Sequence, residues 1–342
     1  MAFATQKQLI VYVKTTETCN LNCSHCFTSG INGRKIYFNS KKTANWCNEL
    51  DTTDNRIHFE YHGGEPLLAP MKDLWEFYNI TKAQWGDRCT HGITTNLTYK
   101  LTDERIEFLK MLDSGSIGTS WDPNIRFANE KQRKLWEDNV RLLVSEGCFI
   151  KCFISVSKDV VAMDPVEIAD YMHSLGIEAI NYERLTHDGN ATINLDIFPH
   201  NRELDAFWMK MHETTQDHPV YNSFLGSVYD KFSKGQFFNG TFCRDCEQKI
   251  HTINADGTVA GCPNTAPTQW YGNIDTPAKE VRQSPKRMEI ISCETNERDP
   301  RCYDCPVFIY CHSDCHQLQW VDDVCPAPKT LMMKLAKDKG WI

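Results

Sequence analysis

The spacing of the cysteines constrains this chain more than any other feature of its sequence. Sixteen of the 342 residues are cysteine, and nine of them lie between Cys243 and Cys325. An early group reads C-N-L-N-C-S-H-C from Cys19 to Cys26. The N-terminal residues have no charged region followed by a long apolar run, so we expect no signal peptide and a reducing, cytoplasmic location. In that compartment, grouped cysteines bind metal more often than they form disulfides.

Charge and hydropathy exclude two classes of partner. The chain has 37 basic and 45 acidic residues, which gives a net charge of −8 without a basic stripe. We therefore expect no nucleic-acid partner, since such proteins usually carry a basic surplus. No stretch approaches 18 consecutive apolar residues, so we expect no membrane span. The length itself suggests roughly two domains.

The first 195 residues alternate between short apolar runs and helical patterns. The predicted strands are Leu9–Val13, Ile57–Tyr61, Gly92–Thr95, Ser116–Ser120, Phe149–Ser157 and Ile177–Arg184. The predicted helices cover residues 40–50, 70–85, 103–113, 129–147 and 165–175. Six strands that alternate with helices indicate parallel βαβ units, and such folds place their sites in the loops after the strands.

The distribution of cysteine also predicts the domain boundaries. We expect an α/β domain over residues 1–195, a helical linker over 196–240 and a cysteine-rich domain over 241–342. Leu204–Met211 is the clearest helical segment of the linker.

The early cysteine group has a chemical implication of its own. Three thiolates cannot ligate all four irons of a [4Fe–4S] cluster, so one iron stays open to a substrate or cofactor. A zinc site and a set of three buried thiols are the alternatives. Three cysteines in a short loop after the first strand favour a catalytic cluster.

In this position the group resembles the C-x3-C-x2-C motif of the radical S-adenosylmethionine (SAM) superfamily. The resemblance implies a partial (β/α)6 TIM-type barrel whose Cys19, Cys23 and Cys26 bind a [4Fe–4S] cluster. His25 departs from the aromatic residue that is common before the last cysteine. A second match is H-G-G-E-P, in which the superfamily's loop after strand two holds the SAM amino group; the implied residues are Gly63, Gly64, Glu65 and Pro66.

Further matches follow in the order that the superfamily shows. By resemblance, Asn96 contacts the ribose of SAM, and Ser120 belongs to the segment at the end of strand four. Arg133 is the predicted partner of the SAM carboxylate, with Arg126 as its rival, and Ser155 is expected to line the barrel. We predict Asp122 and Arg184 as catalytic or substrate contacts. Glu183 and His187 are weaker candidates, and salt bridges are the alternative for all four.

The C-terminal cysteines resemble the SPASM extension of the same superfamily. The resemblance implies two auxiliary [4Fe–4S] clusters. The first set of ligands is Cys243, Cys246, Cys262 and Cys315, and the second is Cys302, Cys305, Cys311 and Cys325. It stays open whether both Cys243 and Cys246 bind the first cluster. A zinc ribbon is the alternative, because two of the C-x2-C pairs have zinc-knuckle spacing.

The resemblance implies reductive cleavage of SAM to a 5′-deoxyadenosyl radical that abstracts hydrogen from a substrate. SPASM proteins mostly modify ribosomally made peptides, by crosslinking or dehydrogenation, so a peptide is the first expectation. A small-molecule enzyme is the alternative, and a non-catalytic iron–sulfur protein is a third. Pro263 after Cys262 argues against sulfatase maturation. We expect an external flavodoxin or ferredoxin-type electron donor. Strand one begins by about residue 8, so we expect no fused leader-binding domain; a separate leader-binding protein would supply that function, and a small substrate is the alternative.

Overall fold

A computed structural model describes residues 7–28, 30–51, 55–113, 117–233, 242 and 244–342. Two sequence predictions fall outside these ranges. They are the cluster ligand Cys243 and the first residue of the predicted fourth strand, Ser116.

The described strands form one sheet that is mostly parallel. They are β1 (Lys7–Thr16), β2 (Asn55–Gly63), β3 (Cys89–Thr94), β4 (Ile117–Ser120), β5 (Ile150–Val156), β6 (Ala179–Arg184), β7 (Tyr221–Asn222), β8 (Ile250–Ile253), β9 (Thr258–Ala260) and β10 (Gly272–Asn273). Their order is β10-β9-β8-β1-β2-β3-β4-β5-β6-β7. β1 to β7 pair in parallel, β8 joins β1 in parallel, and β8, β9 and β10 pair antiparallel. In the described residues the two edges of the sheet do not pair, so the barrel is partial.

Helices follow the strands as βαβ connections require. They are α1 (Ser40–Asn48), α2 (Met71–Trp85), α3 (Asp103–Met111), α4 (Glu130–Ser145), α5 (Lys158–Val161), α6 (Pro165–Ser174), α7 (Asn201–Thr214), α8 (Ser223–Ser233), α9 (Cys246–Lys249), α10 (Ala278–Arg282), α11 (Pro285–Asn296), α12 (Phe308–Cys311) and α13 (Lys329–Asp338). Local signals begin several of them. The Asn129 side chain accepts from the Gln132 amide at 3.1 Å before α4, and Asp164 caps α6 ahead of Pro165.

Alternation along the strands separates the packed core from the interior of the barrel. In β2, Ile57, Phe59 and Tyr61 are fully buried against the helices, whereas His58 and Glu60 face inward. Phe59 and Phe77 of α2 meet edge to face with ring centroids 5.4 Å apart. The helices therefore cover an apolar outer face, and the interior stays polar and available for a site.

The predicted α/β fold class is confirmed, with each predicted strand and helix of the first 195 residues present in its place. The helical linker contains α7 and α8 within its described part. The domain boundary near residue 240 stays a prediction. The sheet itself continues past it, because Ile250–Ile253 pair with Ile10–Val13 of β1.

Within the described ranges, no helix is both long enough and apolar enough to span a bilayer.

Candidate functional site

The cysteine triad lies in the loop that leaves the carboxyl end of β1. Cys23 is buried, and Cys19 and Cys26 are half-buried. The Leu21 amide lies 3.4 Å from Cys19 Sγ, within donating distance. Burial raises the pKa of the Cys19 thiol to about 12 and that of Cys23 to about 11. These thiols therefore ionise only beside a strong positive charge such as iron, so the donor set fits a cluster.

The glycine loop after β2 is joined directly to the triad loop. The Gly64 amide donates to Thr16 O at 2.9 Å, and the Glu65 amide donates to Thr18 O at 2.9 Å. A Cβ on Gly63 would lie 2.3 Å from Thr16 O, and one on Gly64 would lie 2.1 Å from Thr18 O. Both glycines are thus required by the close approach of the two loops.

Glu65 connects the glycine loop to the loop after β3. Its buried carboxylate accepts from Thr95 Oγ1 at 2.7 Å, the Asn96 amide at 2.8 Å and the Leu67 amide at 3.1 Å. Burial raises the pKa of Glu65 to about 7 despite these donors. Pro66 follows at the start of a short 3₁₀ turn, and its carbonyl accepts from Thr15 Oγ1. Glu65 therefore positions the loops around the triad.

Asn96 stands beside the first cysteine. Its Nδ2 lies 3.6 Å from Cys19 Sγ and donates to Asn20 Oδ1 at 2.8 Å. Asn20 in turn donates to Thr98 O at 3.0 Å. Asn20 was not predicted from sequence, because nothing in the local pattern reveals a bridge to residue 98.

A buried cluster of ionisable side chains lies next to the triad loop. The Arg126 guanidinium donates to Asp122 Oδ2, and His25 Nε2 lies 3.4 Å from the same oxygen. The Ser155 amide donates to Asp122 Oδ1 at 2.6 Å. Burial alone raises the pKa of Asp122, but the charge of Arg126 and the hydrogen bonds from Ser155 and Arg126 outweigh it and lower the pKa. Burial lowers the pKa of His25 to about 4.

This arrangement bears on several predicted residues. Asp122 is fully buried and forms an ion pair with Arg126. A salt bridge is the alternative that the sequence offers to a catalytic or substrate-binding role. Ser120 is buried at the end of β4, and Ser155 is half-buried on the interior face of β5. Arg133 lies on the surface of α4, where its guanidinium bonds Glu130 and Glu137. The structure thus does not place Arg133 with the triad, and its rival Arg126 is the arginine that lies there.

The loop after β6 covers the triad loop. The Asn190 amide donates to Cys26 O at 2.7 Å, and its side chain donates to Cys23 O at 3.0 Å. Asn194 Nδ2 donates to Ser24 O at 3.1 Å. Asn190 and Asn194 are not predicted from the sequence, because hydrogen bonds to residues far away along the chain leave no local pattern. The triad is thus fixed from both sides.

The interior of the barrel is lined by polar and charged side chains. Glu60 accepts from Thr94 Oγ1 at 2.6 Å and lies 3.0 Å from His58 Nε2. The Glu183 side chain is exposed, and desolvation by the surrounding residues raises its pKa. Asn181 Nδ2 donates to its carboxylate at 3.1 Å. His187, by contrast, stacks on Phe198 with ring centroids 4.0 Å apart.

Four C-terminal cysteines surround one cavity. Cys302, Cys305, Cys311 and Cys325 line it together with Phe308 and Trp320. These four are the predicted ligands of the second auxiliary cluster, and Cys325 lies 14 residues after Cys311 in the sequence. Their convergence and softness as ligands fit an iron–sulfur cluster.

The described cysteines that are expected to bind the first auxiliary cluster lie beside two buried carboxylates. The Glu294 carboxylate accepts from the Cys246 amide at 3.0 Å, and Glu247 Oε1 accepts from the Cys262 amide at 3.4 Å. His316, next to Cys315, lies 3.8 Å from Glu247 Oε1. Cys246, Cys262 and Cys315 therefore share one network of neighbours. Across the described ranges, no group of three His, Cys, Asp or Glu side chains could hold a single metal ion.

Arg184 joins the barrel to the C-terminal cysteines. Its guanidinium, at the end of β6, makes two hydrogen bonds to the fully buried carboxylate of Asp314. The same carboxylate accepts from the Cys315 amide at 2.7 Å. His312, Ser313 and Asp314 all have left-handed backbone angles, with φ of 51°, 70° and 57°. The catalytic role expected of Arg184 stays a prediction, and the ion pair gives it a positioning task.

The remaining described cysteines are separate from these groups. Cys47, Cys89 and Cys152 are buried, and Cys148 and Cys293 are half-buried. None of the described cysteines forms a disulfide.

Comparison with known proteins places the fold. No model of a known protein family matches the chain. The uncharacterized protein MJ0907 of Methanocaldococcus jannaschii is 40% identical over 119 residues, which cover 34% of this chain and 38% of that protein's length. The solved structure of anSMEcpe with bound AdoMet and Cp18Cys peptide aligns with 97% of this chain over 97% of the anSMEcpe chain, at a TM-score of 0.78 and 16% identity.

Structures of a second protein, SuiB, are also similar to this chain. Streptococcus suis SuiB, bound to its precursor peptide SuiA, aligns with 93% of this chain and 76% of its own, at a TM-score of 0.63 and 13% identity. SuiB bound to S-adenosylmethionine aligns equally well, at a TM-score of 0.62. The chain therefore shares the fold of anSMEcpe and SuiB, at 16% and 13% sequence identity.

Proposed function

We propose that this chain is a radical SAM oxidoreductase of the SPASM subfamily that modifies a ribosomally made peptide. One observation carries the proposal. The triad loop, the Gly63–Gly64 loop and Asn96 are bonded to one another at the carboxyl ends of β1, β2 and β3. Three motifs that are far apart in sequence thus form one site at the end of the barrel where such folds carry out chemistry.

The residues present fit the cofactors that this function needs. Cys19, Cys23 and Cys26 would hold a [4Fe–4S] cluster with one open iron, and the loop of Gly63, Gly64, Glu65 and Pro66 with Asn96, Ser120 and Ser155 would hold SAM. A bound, reduced cluster would supply the electron that splits SAM into methionine and a 5′-deoxyadenosyl radical, and that radical would remove a hydrogen atom from the substrate. The protein keeps the triad in place through Asn190 and Asn194 and sets Arg126 and Asp122 behind it.

The C-terminal cysteines would hold two auxiliary clusters. Cys302, Cys305, Cys311 and Cys325 enclose one cavity, which supports one of them. Cys246, Cys262 and Cys315, with Cys243 as the fourth expected ligand, would hold the other. Such clusters suit the acceptance of a substrate electron in an oxidation. The chain would still need an external donor, a flavodoxin or ferredoxin, to reduce the triad cluster.

Peptide substrates are favoured over small molecules by the likeness of fold. The similar structures are anSMEcpe with a bound Cp18Cys peptide and SuiB bound to its precursor peptide SuiA. In this chain the barrel interior is polar, and Glu183 is open within it. A separate leader-binding protein would then present the peptide. Modification by crosslinking or dehydrogenation is the proposed reaction.

The test compares anaerobic cells that express the chain with cells that express Cys23→Ala, in a host that carries the neighbouring genes. Cys148→Ala is the matched control, because Cys148 is a half-buried thiol away from the three groups. We expect a new peptide mass, two hydrogens lighter for a crosslink or dehydrogenation, with the wild type and Cys148→Ala alone. A new small metabolite with unchanged peptides would replace the peptide substrate by a small molecule. Identical extracts from all three strains would contradict the proposed function.

A further inference from the structure

The proposed reaction needs a group that accepts a proton. In a dehydrogenation or a crosslink, the peptide loses a hydrogen atom to the 5′-deoxyadenosyl radical and then a proton and an electron. The electron would go to an oxidised auxiliary cluster. The proton needs a base that is open to the substrate inside the barrel, and none of the residues discussed so far has been given that task.

Glu183 lies in the barrel interior beside the candidate SAM site. The preceding residue, Tyr182, packs on Trp208 of α7 with ring centroids 6.2 Å apart, so alternation directs Glu183 to the opposite, interior face of β6. The register pairs Glu183 with Ser155 of β5. Because neighbouring strands are about 4.8 Å apart, Glu183 is adjacent to a residue of the candidate SAM site.

The Glu183 carboxylate is also available to a substrate. The residue is exposed, and Asn181 Nδ2 donates to its carboxylate at 3.1 Å. In the part of the chain that the structure describes, that amide is the one hydrogen-bond donor to it. Desolvation raises the pKa of Glu183, which makes this carboxylate a stronger base than an ordinary glutamate.

The other interior carboxylates are less available. Asp122 is fully buried and forms an ion pair with Arg126. Glu60 has both oxygens engaged, since Oε1 accepts from Thr94 Oγ1 at 2.6 Å and Oε2 lies 3.0 Å from His58 Nε2. Neither carboxylate can take a substrate proton without giving up a partner.

Two further positions near the site are unsuited to the task. Burial and the charge of Lys14 lower the pKa of His62 to about 3, so this imidazole is too weak a base to keep a proton at neutral pH. The residue after Cys262 is Pro263, whose side chain cannot accept a proton. Glu183 therefore remains as the interior group with the required chemistry.

Glu183 lies near the expected electron acceptor as well. Burial raises the pKa of Tyr12, on the interior face of β1, and the charges of two glutamates and two expected cluster ligands add to this shift. They are Glu60, Glu183, Cys262 and Cys246. One side chain thus lies within electrostatic reach of both the Glu183 carboxylate and the first auxiliary cluster site. A proton and an electron can therefore leave the substrate in the same part of the barrel.

We propose that Glu183 is a catalytic residue, the base that accepts the substrate's proton. The proposal rests on the proposed function and names the group that completes it. In a dehydrogenation, the bond to hydrogen next to the radical carbon breaks and its proton goes to the Glu183 carboxylate. One electron of that bond pairs with the unpaired electron in a new double bond, and the other goes to the oxidised cluster. In a crosslink the new bond forms first, and loss of the proton and electron then restores the attacked group.

The test uses the full chain, reconstituted anaerobically with iron and sulfide, and the unmodified peptide isolated from the Cys23→Ala strain. Glu183→Gln keeps the size of the side chain and removes its basicity. Glu178→Gln is the matched control, because Glu178 is an exposed glutamate that directly precedes β6, at the other end of the strand. Iron content and SAM affinity are measured first. Product and 5′-deoxyadenosine formation follow, with electron paramagnetic resonance of freeze-quenched samples.

The proposal predicts a block after hydrogen abstraction. Glu183→Gln should keep its iron and its SAM affinity and still form 5′-deoxyadenosine with the peptide. Its kcat for product should fall about 100-fold, as expected for loss of a general base. The KM for the peptide should stay within about threefold of the wild type, and an organic radical should accumulate. Glu178→Gln should match the wild type in every measurement.

Other results overturn the proposal. Product formation by Glu183→Gln at the wild-type rate would contradict it. A raised KM with unchanged kcat would make Glu183 a binding contact, and loss of iron or SAM affinity would assign it to the cofactor site. Failure of the proposed function is distinguishable, because the iron-loaded wild type would then leave the peptide unchanged.

Discussion

At the scale of single residues, the site depends on buried charges that satisfy one another. Asp122 is the clearest case, because its carboxylate has no exposed surface and accepts from Arg126 and the Ser155 amide. Removing one partner of such a pair leaves the other charge buried without compensation. Asp122 therefore acts on the triad through Arg126 and His25, as a positioning residue.

The first prediction concerns Asp122→Asn. We expect it to lower the free energy of unfolding by about 3 kcal/mol, because Arg126 loses its counter-charge. The double variant Asp122→Asn/Arg126→Met should recover part of that loss in chemical denaturation. Unchanged stability of Asp122→Asn together with abolished SAM cleavage would instead support the catalytic role expected from sequence.

The second prediction concerns the pH dependence of His91 in β3. This fully buried histidine stacks on Phe59, and burial lowers its pKa from 6.5 to about 3. The unfolded chain therefore takes up the proton first, so the stability contribution is complete above about pH 6.5 and falls as the pH drops toward 3. We expect His91→Phe to lose less stability between pH 7 and pH 5 than the wild type, as followed by thermal unfolding.

The control for that measurement is His173→Gln, because His173 is exposed on α6. It should follow the wild type across the same pH range. Equal pH dependence in His91→Phe and the wild type would contradict the role given to burial.

At the scale of elements, the loops between strands and helices hold the site together. The glycine loop fits against the triad loop only because neither glycine carries a side chain. Replacement of Gly64 by alanine would push its Cβ against Thr18 O, a backbone atom that cannot move aside cheaply. The two loops would then separate.

We therefore predict that Gly64→Ala lowers both the iron content of the triad cluster and the affinity for SAM by at least about threefold, at a cost of roughly 1–3 kcal/mol of packing strain. Gly147→Ala is the control for general backbone strain, because Gly147 lies after α4, outside the loops of the site, and has a left-handed φ of 81° that disfavours alanine. Anaerobic iron analysis and equilibrium dialysis measure both quantities. A Gly64→Ala protein with wild-type iron and SAM affinity would refute this account of the loop.

Elements were easier to predict from sequence than the contacts between them. Helical periodicity predicts the helices to within a few residues, and short apolar or alternating runs predict the strands. The pairing of β8 with β1 was missed, because a four-residue strand has little pattern and its partner is about 240 residues away. Arg133 was preferred over Arg126 because motif distance cannot reveal that Glu130 and Glu137 already bind its guanidinium.

At the scale of the whole molecule, the barrel and the C-terminal cysteines are connected by buried contacts. The principal one is the ion pair of Arg184, at the end of β6, with Asp314 between Cys311 and Cys315. These two cysteines belong to different expected clusters. A change at Arg184 should therefore affect both auxiliary sites and leave the triad intact.

We predict that Arg184→Met loses iron from the C-terminal sites and keeps the cluster that responds to SAM in electron paramagnetic resonance. The cause is the unpaired Asp314 carboxylate, which would disturb a loop of three left-handed residues. Arg133→Met, on the surface of α4, is the control and should keep all its iron. Loss of the SAM-responsive signal in Arg184→Met would assign Arg184 to the SAM site instead.

The central claim is that the triad at the end of β1 supports reductive cleavage of SAM. The most direct measurement is the formation of 5′-deoxyadenosine by the iron-loaded chain, incubated anaerobically with SAM and dithionite and analysed by mass spectrometry. The wild type should form 5′-deoxyadenosine, and Cys23→Ala should form none although it retains the iron of its C-terminal cysteines. No 5′-deoxyadenosine from an iron-loaded wild type, or equal amounts from the variant, would contradict the account.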